Sequence, residues 1–229
     1  MPEIRKVFHE EMSDLRADVI RLGAMAGEAI EAATAALLTT DLQAVEKVVA
    51  SDRAIDDLTH SIEERVYFLL ARQQPMAIDL RTLVSDLRVI HELERIGDLM
   101  VKGAKATRRL YPNPLDPRIR GLVDRMREQA GAQLRLAVEA YSEGDLAKAA
   151  ALVDMDDVLD DLQKDIFQAI FASQPTDDAG VRRAVQLALI GRFFERVGDH
   201  ATNIADRVTY MVTGHFPHEE LSAQQSAAP

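Results

Sequence analysis

The residues Glu-Arg-Ile-Gly-Asp at positions 94–98 return as Glu-Arg-Val-Gly-Asp at 195–199, a separation of 101 within a chain of 229 residues. A near match over five residues is better read as an internal repeat than as coincidence. Other pairs keep almost the same step. Asp41-Leu42 matches Asp145-Leu146, and Ile55-Asp56-Asp57-Leu58 matches Leu159-Asp160-Asp161-Leu162, both at an offset of 104, while Gln74-Pro75 matches Gln174-Pro175 at 100. The difference of four is about one helical turn, whose loss largely preserves the facing of a helix. The chain is therefore expected to fold as two copies of one unit.

The periodicity says what that unit is made of. Phe8, Met12, Leu15, Val19, Leu22, Ala26, Ala29 and Ala33 follow three-four spacing without a break, the seam of a long helix packed on near-parallel neighbours. Helix one is expected from about Arg5 to Leu38. Thr40, three residues before Gln43, forms a capping-box arrangement that restarts a second helix reaching about Arg72. The proline of Arg-Gln-Gln-Pro-Met breaks it and opens a third, from about Met76 to Leu110. Ile119, Leu122, Met126, Ala130, Gln133, Ala137 and Tyr141 line a fourth. Glu-Gly-Asp-Leu restarts a fifth, Ser-Gln-Pro-Thr ends it, and a sixth runs to about Val212. Aromatic residues make up only 5% of the chain and tryptophan is absent. That composition favours helices over sheets. The expected fold is all-α, with six long helices in two tandem, similar three-helix bundles.

Prolines at 112, 114 and 117 mark the boundary. The first bundle is expected over residues 1–111, a linker over 112–117, the second bundle over 118–214, and a loose tail over 215–229.

Charge and composition narrow the function. With 27 basic and 38 acidic residues the formal charge is -11, which repels phosphate backbones and anionic lipid, so nucleic acid is not an expected partner. Cysteine is absent, which excludes disulfides, thiolate clusters and a cysteine nucleophile; any metal must sit on oxygen or imidazole. Neither a signal peptide nor a membrane span is expected, and the default location is cytoplasmic. Phosphate-cradling glycine loops, Gly-x-Ser-x-Gly and His-Glu-x-x-His do not occur.

The repeated acids carry the chemistry. Leu83, Leu87, Ile90, Glu94, Asp98 and Val101 share one helical arc, so Glu94 and Asp98 extend a core stripe and should border the core. In the second copy Ala184, Ala188, Gly191, Glu195, Asp199 and Thr202 share that arc, with small residues leaving room beside the acids. Asp52 with Asp56, and Asp156 with Asp160, offer the same four-residue spacing on the preceding helices. Such spacing brings two carboxylates to one face, about 6 Å apart at Cβ, near enough to share a cation. Four like charges drawn from water raise their own pKa values unless cations compensate. The alternative is ordinary ion pairing or exposure, since Arg95 and Arg196 directly follow the glutamates. Lys102, four residues beyond Asp98, can neutralise the first site internally, whereas Asn203 stands in the second copy. His91 and His200 lack the Glu-x-x-His spacing of di-iron enzymes.

Phe-His-Glu-Glu-Met-Ser-Asp-Leu near the start, Ala-Arg-Gln-Gln-Pro-Met-Ala-Ile-Asp-Leu-Arg at 71–81, Glu-Leu-Glu-Arg-Ile-Gly-Asp at 92–98 and Phe-Phe-Glu-Arg-Val-Gly-Asp-His-Ala-Thr-Asn-Ile-Ala-Asp at 193–206 together resemble the PhoU family of phosphate-specific transport accessory proteins, over about Arg5 to Val212. The resemblance implies two similar three-helix bundles and a bacterial cytoplasmic regulator, not an enzyme, peripheral to the membrane only through its partners. It implies a negative regulator of phosphate uptake and signalling, joining the ATPase subunit of a phosphate ABC transporter to a sensor histidine kinase, and a homodimer. It also implies multinuclear iron or zinc clusters on Glu94 with Asp98, Glu195 with Asp199, Asp52 with Asp56, and Asp156 with Asp160. Lys102 departs from the asparagine usual after the motif. A carboxylate-bridged metalloenzyme and a metal-free helical scaffold remain the alternatives.

Overall fold

The structure is a computed structural model that describes residues 2–174 and 176–216, with side chains from residue 5 onward. Among the described residues the chain forms six helices: α1 Pro2–Thr39, α2 Leu42–Gln73, α3 Ile78–Leu110, α4 Pro117–Glu143, α5 Leu146–Ala172 and α6 Asp178–Thr213. The first three pack on one another, as do the last three. Two lateral seams join the bundles: α3 lies against α6, and α1 against α4. Helices α2 and α5 touch only their own bundle, so they form the flanks.

The helix starts show local chemistry at work. Asp41 caps α2, its Oδ1 accepting from the Gln43 amide at 2.8 Å and the Ala44 amide at 3.1 Å. Asp145 caps α5 in the same way, from Ala147 at 2.8 Å and Lys148 at 3.1 Å. The repeat thus preserves its caps as well as its core. Thr40, expected to cap α2, instead lies in a left-handed conformation with φ of 54°. Asp41, one residue on and in extended backbone, takes the free amides. Pro75 does not open α3 either: Gln74 and Ala77 adopt φ of 46° and 50°, and the helix begins at Ile78. Pro117, by contrast, is the first residue of α4, where its missing N–H costs nothing and Asp116 caps from behind. It belongs to the helix, not to the linker. The expected break at Pro175 lies outside the described residues. Of the tail, His215 and Phe216 are described: the His215 amide donates to Thr213 Oγ1 at 3.0 Å, and the Phe216 ring stacks on Tyr210 at 4.6 Å. Residues 217–229 lie outside the description.

One continuous core runs through both bundles, from Leu15, Leu22 and Ile30 of α1 through Leu83, Ile90 and Leu93 of α3 to Ile190, Val197 and Ile204 of α6. Burial of this apolar surface is the main force holding the helices side by side. Polar groups tie the seams. Across α3 and α6, His200 Nδ1 lies 2.6 Å from Glu92 Oε2, and Asn203 donates to the same oxygen at 3.2 Å. Although burial pushes the Glu92 carboxyl up, these two partners outweigh it and hold the group below its ordinary value. A second tie runs between the bundles from α4, where the fully buried Tyr141 donates to Asp86 Oδ1 of α3 at 2.6 Å. The Arg16 guanidinium of α1 lies over the Tyr141 ring, 6.0 Å from its centre.

Candidate metal centres

In the first bundle α2 presents Asp52 and Asp56 toward Glu94 and Asp98 of α3, and all four are half-buried. The helical arc places Glu94 and Asp98 at the border of the core, and the structure has them there. Burial, then the charges of Asp56 and Asp98, push the Asp52 carboxyl up, with Lys105 opposing. Cations of the same helix already attend the motif. Arg95 reaches Glu94 Oε2 at 3.9 Å and Asp98 Oδ2 at 3.7 Å, and Lys102 Nζ lies 3.4 Å from Asp98 Oδ2. Lys102 therefore does what its spacing suggested. Gly97 lets α2 come close: a methyl group on it would lie 3.0 Å from Ile55 Cδ1 and 3.8 Å from Asp52 Oδ1.

The second bundle is less compensated. Asp156 and Asp160 of α5 face Glu195 and Asp199 of α6, and Glu195 is only 7% exposed. Burial, then the charges of Asp199 and Asp160, push Asp156 up to about 6. Burial and Asp199 raise Glu195 as well, against the opposing charge of Arg192. Arg192 donates to Glu195 Oε1, which leaves Oε2 buried without a protein partner. Asp156 Oδ1 is likewise buried and unpartnered. Asn203, the counterpart of Lys102, turns to Glu92 and brings no charge to the site.

One residue here escaped the sequence reading. Gln133 of α4, which the periodicity puts on the core stripe, is fully buried, but both atoms of its amide lack partners. Asp156 Oδ1 and Gln133 Oε1 would lie 2.5 and 2.9 Å from a methyl group on Gly198, so both converge on that glycine. An amide on an apolar stripe was the available signal. The room expected beside Gly191 is filled by Ile166, whose side chain would meet a methyl group there at 3.5 Å.

Neither histidine is held by the eight acids: His91 lies 4.0 Å from Glu63, and His200 is paired with Glu92. Among the described residues no group of three or more His, Asp or Glu is drawn tightly enough to enclose a metal ion. The acids of each bundle share a face and feel one another's charge without closing around a point. The donor chemistry nonetheless suits a cation. Carboxylate oxygens, two of them buried and unpaired in the second bundle, together with the Gln133 amide, are oxygen donors of the kind that bind hard and borderline ions.

Known proteins share both repeats. The PhoU domain profile matches residues 19–107 and again 123–208. A Mycobacterium tuberculosis protein named phosphate-specific transport system accessory protein PhoU homolog 1 is 37% identical over 218 residues, covering 95% of this chain and 98% of its own. A Rhizobium meliloti PhoU homolog is 29% identical over 217 residues, covering 95% of this chain and 92% of its own. The crystal structure of PhoU from Pseudomonas aeruginosa superposes with a TM-score of 0.84 at 29% identity, over 91% of this chain and 100% of that one. Two domain matches, relatives of full length and a common architecture agree: the chain belongs to the PhoU family.

Proposed function

We propose that this chain is an accessory protein of a phosphate-specific transport system that restrains phosphate uptake when phosphate is ample and silences the associated signalling. The observation that carries the reading is the doubled family match along a chain that covers nearly all of its named relatives. It acts by contact and not by turnover, as an adaptor between the ATPase subunit of the transporter and a sensor histidine kinase. No helix among the described residues is long and apolar enough to cross a membrane, which suits a protein that reaches the transporter through another subunit. Its formal charge of -11 favours docking on basic surfaces.

In this reading the acidic faces are binding elements. Asp156, Asp160, Glu195 and Asp199 would hold iron or zinc in the second bundle, and Asp52, Asp56, Glu94 and Asp98 in the first. A bound ion would supply the positive charge that these carboxylates lack. The chain's own part is positional: α5 and α6 bring the acids together, and Gly198 admits Asp156 to the helix surface. Arg192 steadies one Glu195 oxygen and leaves the other free to ligate. In the first bundle Arg95 and Lys102 compete with an added ion, so that site binds more weakly.

Deletion of the gene tests the regulatory reading. The expected result is phosphate-responsive transcription that stays on in phosphate-rich medium, with uptake no longer curtailed. Normal repression in the deletion strain would contradict it.

A further inference from the structure

A recess of about 400 Å³ lies between the C-terminal end of α3, residues Tyr111 and Asn113, and the first turns of α6. Its charged lining is Arg109, Arg182 and Arg183, and no carboxylate contributes. This is unusual on a chain with 38 acids against 27 bases. Asp178, four residues before Arg182 on the first turn of α6, stands outside the lining, and two further acids near the recess are engaged as caps. Asp116 accepts from the Arg118 amide at 2.9 Å and Asp177 from the Gly180 amide at 2.8 Å, each capping a helix.

Two of the arginines are held in place by neutral groups. Arg109 Nη1 donates to Gln186 Oε1 at 3.1 Å, and Arg183 Nη2 donates to the Pro114 carbonyl at 3.3 Å. An amide or carbonyl orients a guanidinium without cancelling its charge. Each guanidinium has five N–H donors, so most remain for a ligand, in a planar fork matched to tetrahedral oxyanions. Among the described residues none of the three forms an ion pair. The rest of the wall suits an organic body: Val181 and Val185 are apolar, and the Tyr111 ring, 54% exposed, offers a face for stacking. A volume of 400 Å³ falls within the range of small-molecule sites and exceeds what one tetrahedral ion fills.

We propose that this recess binds a phosphate group, either free or carried on a small aromatic compound such as a nucleotide, through Arg109, Arg182 and Arg183. Nothing in the proposed regulatory role requires this site, and the two readings stand or fall separately.

Calorimetric titration of the full chain with inorganic phosphate and with adenosine 5′-monophosphate tests it, at low and at moderate sodium chloride. Saturable binding that weakens with salt is expected. Tighter binding of the nucleotide assigns the group to an organic carrier, and equal binding assigns it to the free ion; each supports the site. Arg182→Gln with Arg183→Gln should weaken binding by about tenfold or more, since a charge-assisted hydrogen bond is worth at least that factor. Arg53→Gln, on the outer face of α2, should leave it unchanged, and circular dichroism of all variants should match the parent. No binding of either probe, or equal affinity in the double variant and the parent, overturns the proposal. So does binding of a glutamate-rich peptide where both phosphate probes fail, because the recess would then be a surface for acidic protein segments.

Discussion

Asp86 shows how far one side chain can depart from its ordinary chemistry. It is 2% exposed, and burial pushes its carboxyl up to about 6, against the Tyr141 hydrogen bond and the Arg16 charge. An unfolded aspartate titrates near 3.9, so between about pH 4 and 6 the folded chain holds a proton that the unfolded chain has released. The sign follows: as pH rises through that window stability falls, by something on the order of 2–3 kcal/mol, and outside it this group contributes no slope. Asp86→Asn keeps an acceptor for Tyr141 and removes the titration. Urea unfolding of parent and variant should therefore show the variant gaining on the parent between pH 4.5 and 7.5. A stability difference that stays constant over that range would show that Asp86 does not titrate as its burial demands.

At the scale of the helices, the two repeats are alike in frame and unlike at the contacts that matter. A methyl group on Gly198 would meet Asp156 Oδ1, Gln133 Oε1 and Leu159 Cδ1 all within 2.9 Å, whereas one on Gly97 would press only on Ile55 Cδ1 at 3.0 Å. Gly198→Ala should destabilise by about 1–3 kcal/mol through overpacking. In Gly97→Ala the gain in helix propensity, about 1 kcal/mol, should offset most of the cost. Thermal unfolding of the two variants checks the contrast, and equal midpoints would mean that α5 can shift as freely as α2. The same comparison shows what sequence makes legible. Helix number, the repeat and the bordering position of the acids follow from spacing, because apolar periodicity and burial are one fact seen twice. The cap at Asp41 instead of Thr40 is a one-residue choice between two good acceptors, settled by backbone geometry. The meeting of Asp86 with Tyr141, 55 residues apart, depends on how the two bundles are set together, and the stranded amide of Gln133 on how α4, α5 and α6 pack within one of them; no local pattern encodes either.

Across the whole molecule, the antiparallel seam of α3 against α6 sets the two motif-bearing helices side by side at the centre, with α2 and α5 adding their aspartates from the flanks. Charge is arranged unevenly on this frame. The first acidic face carries its own arginine and lysine, and the second keeps buried oxygens with no protein partner. In the proposed function a cation from outside the chain completes the second face. Elemental analysis of the purified protein, alongside a Glu195→Ala plus Asp199→Ala variant, tests it most directly. Stoichiometric iron or zinc is expected in the parent and a marked loss in the variant, with helical circular dichroism unchanged. A parent without stoichiometric metal, or a variant that retains all of it, would contradict the assignment.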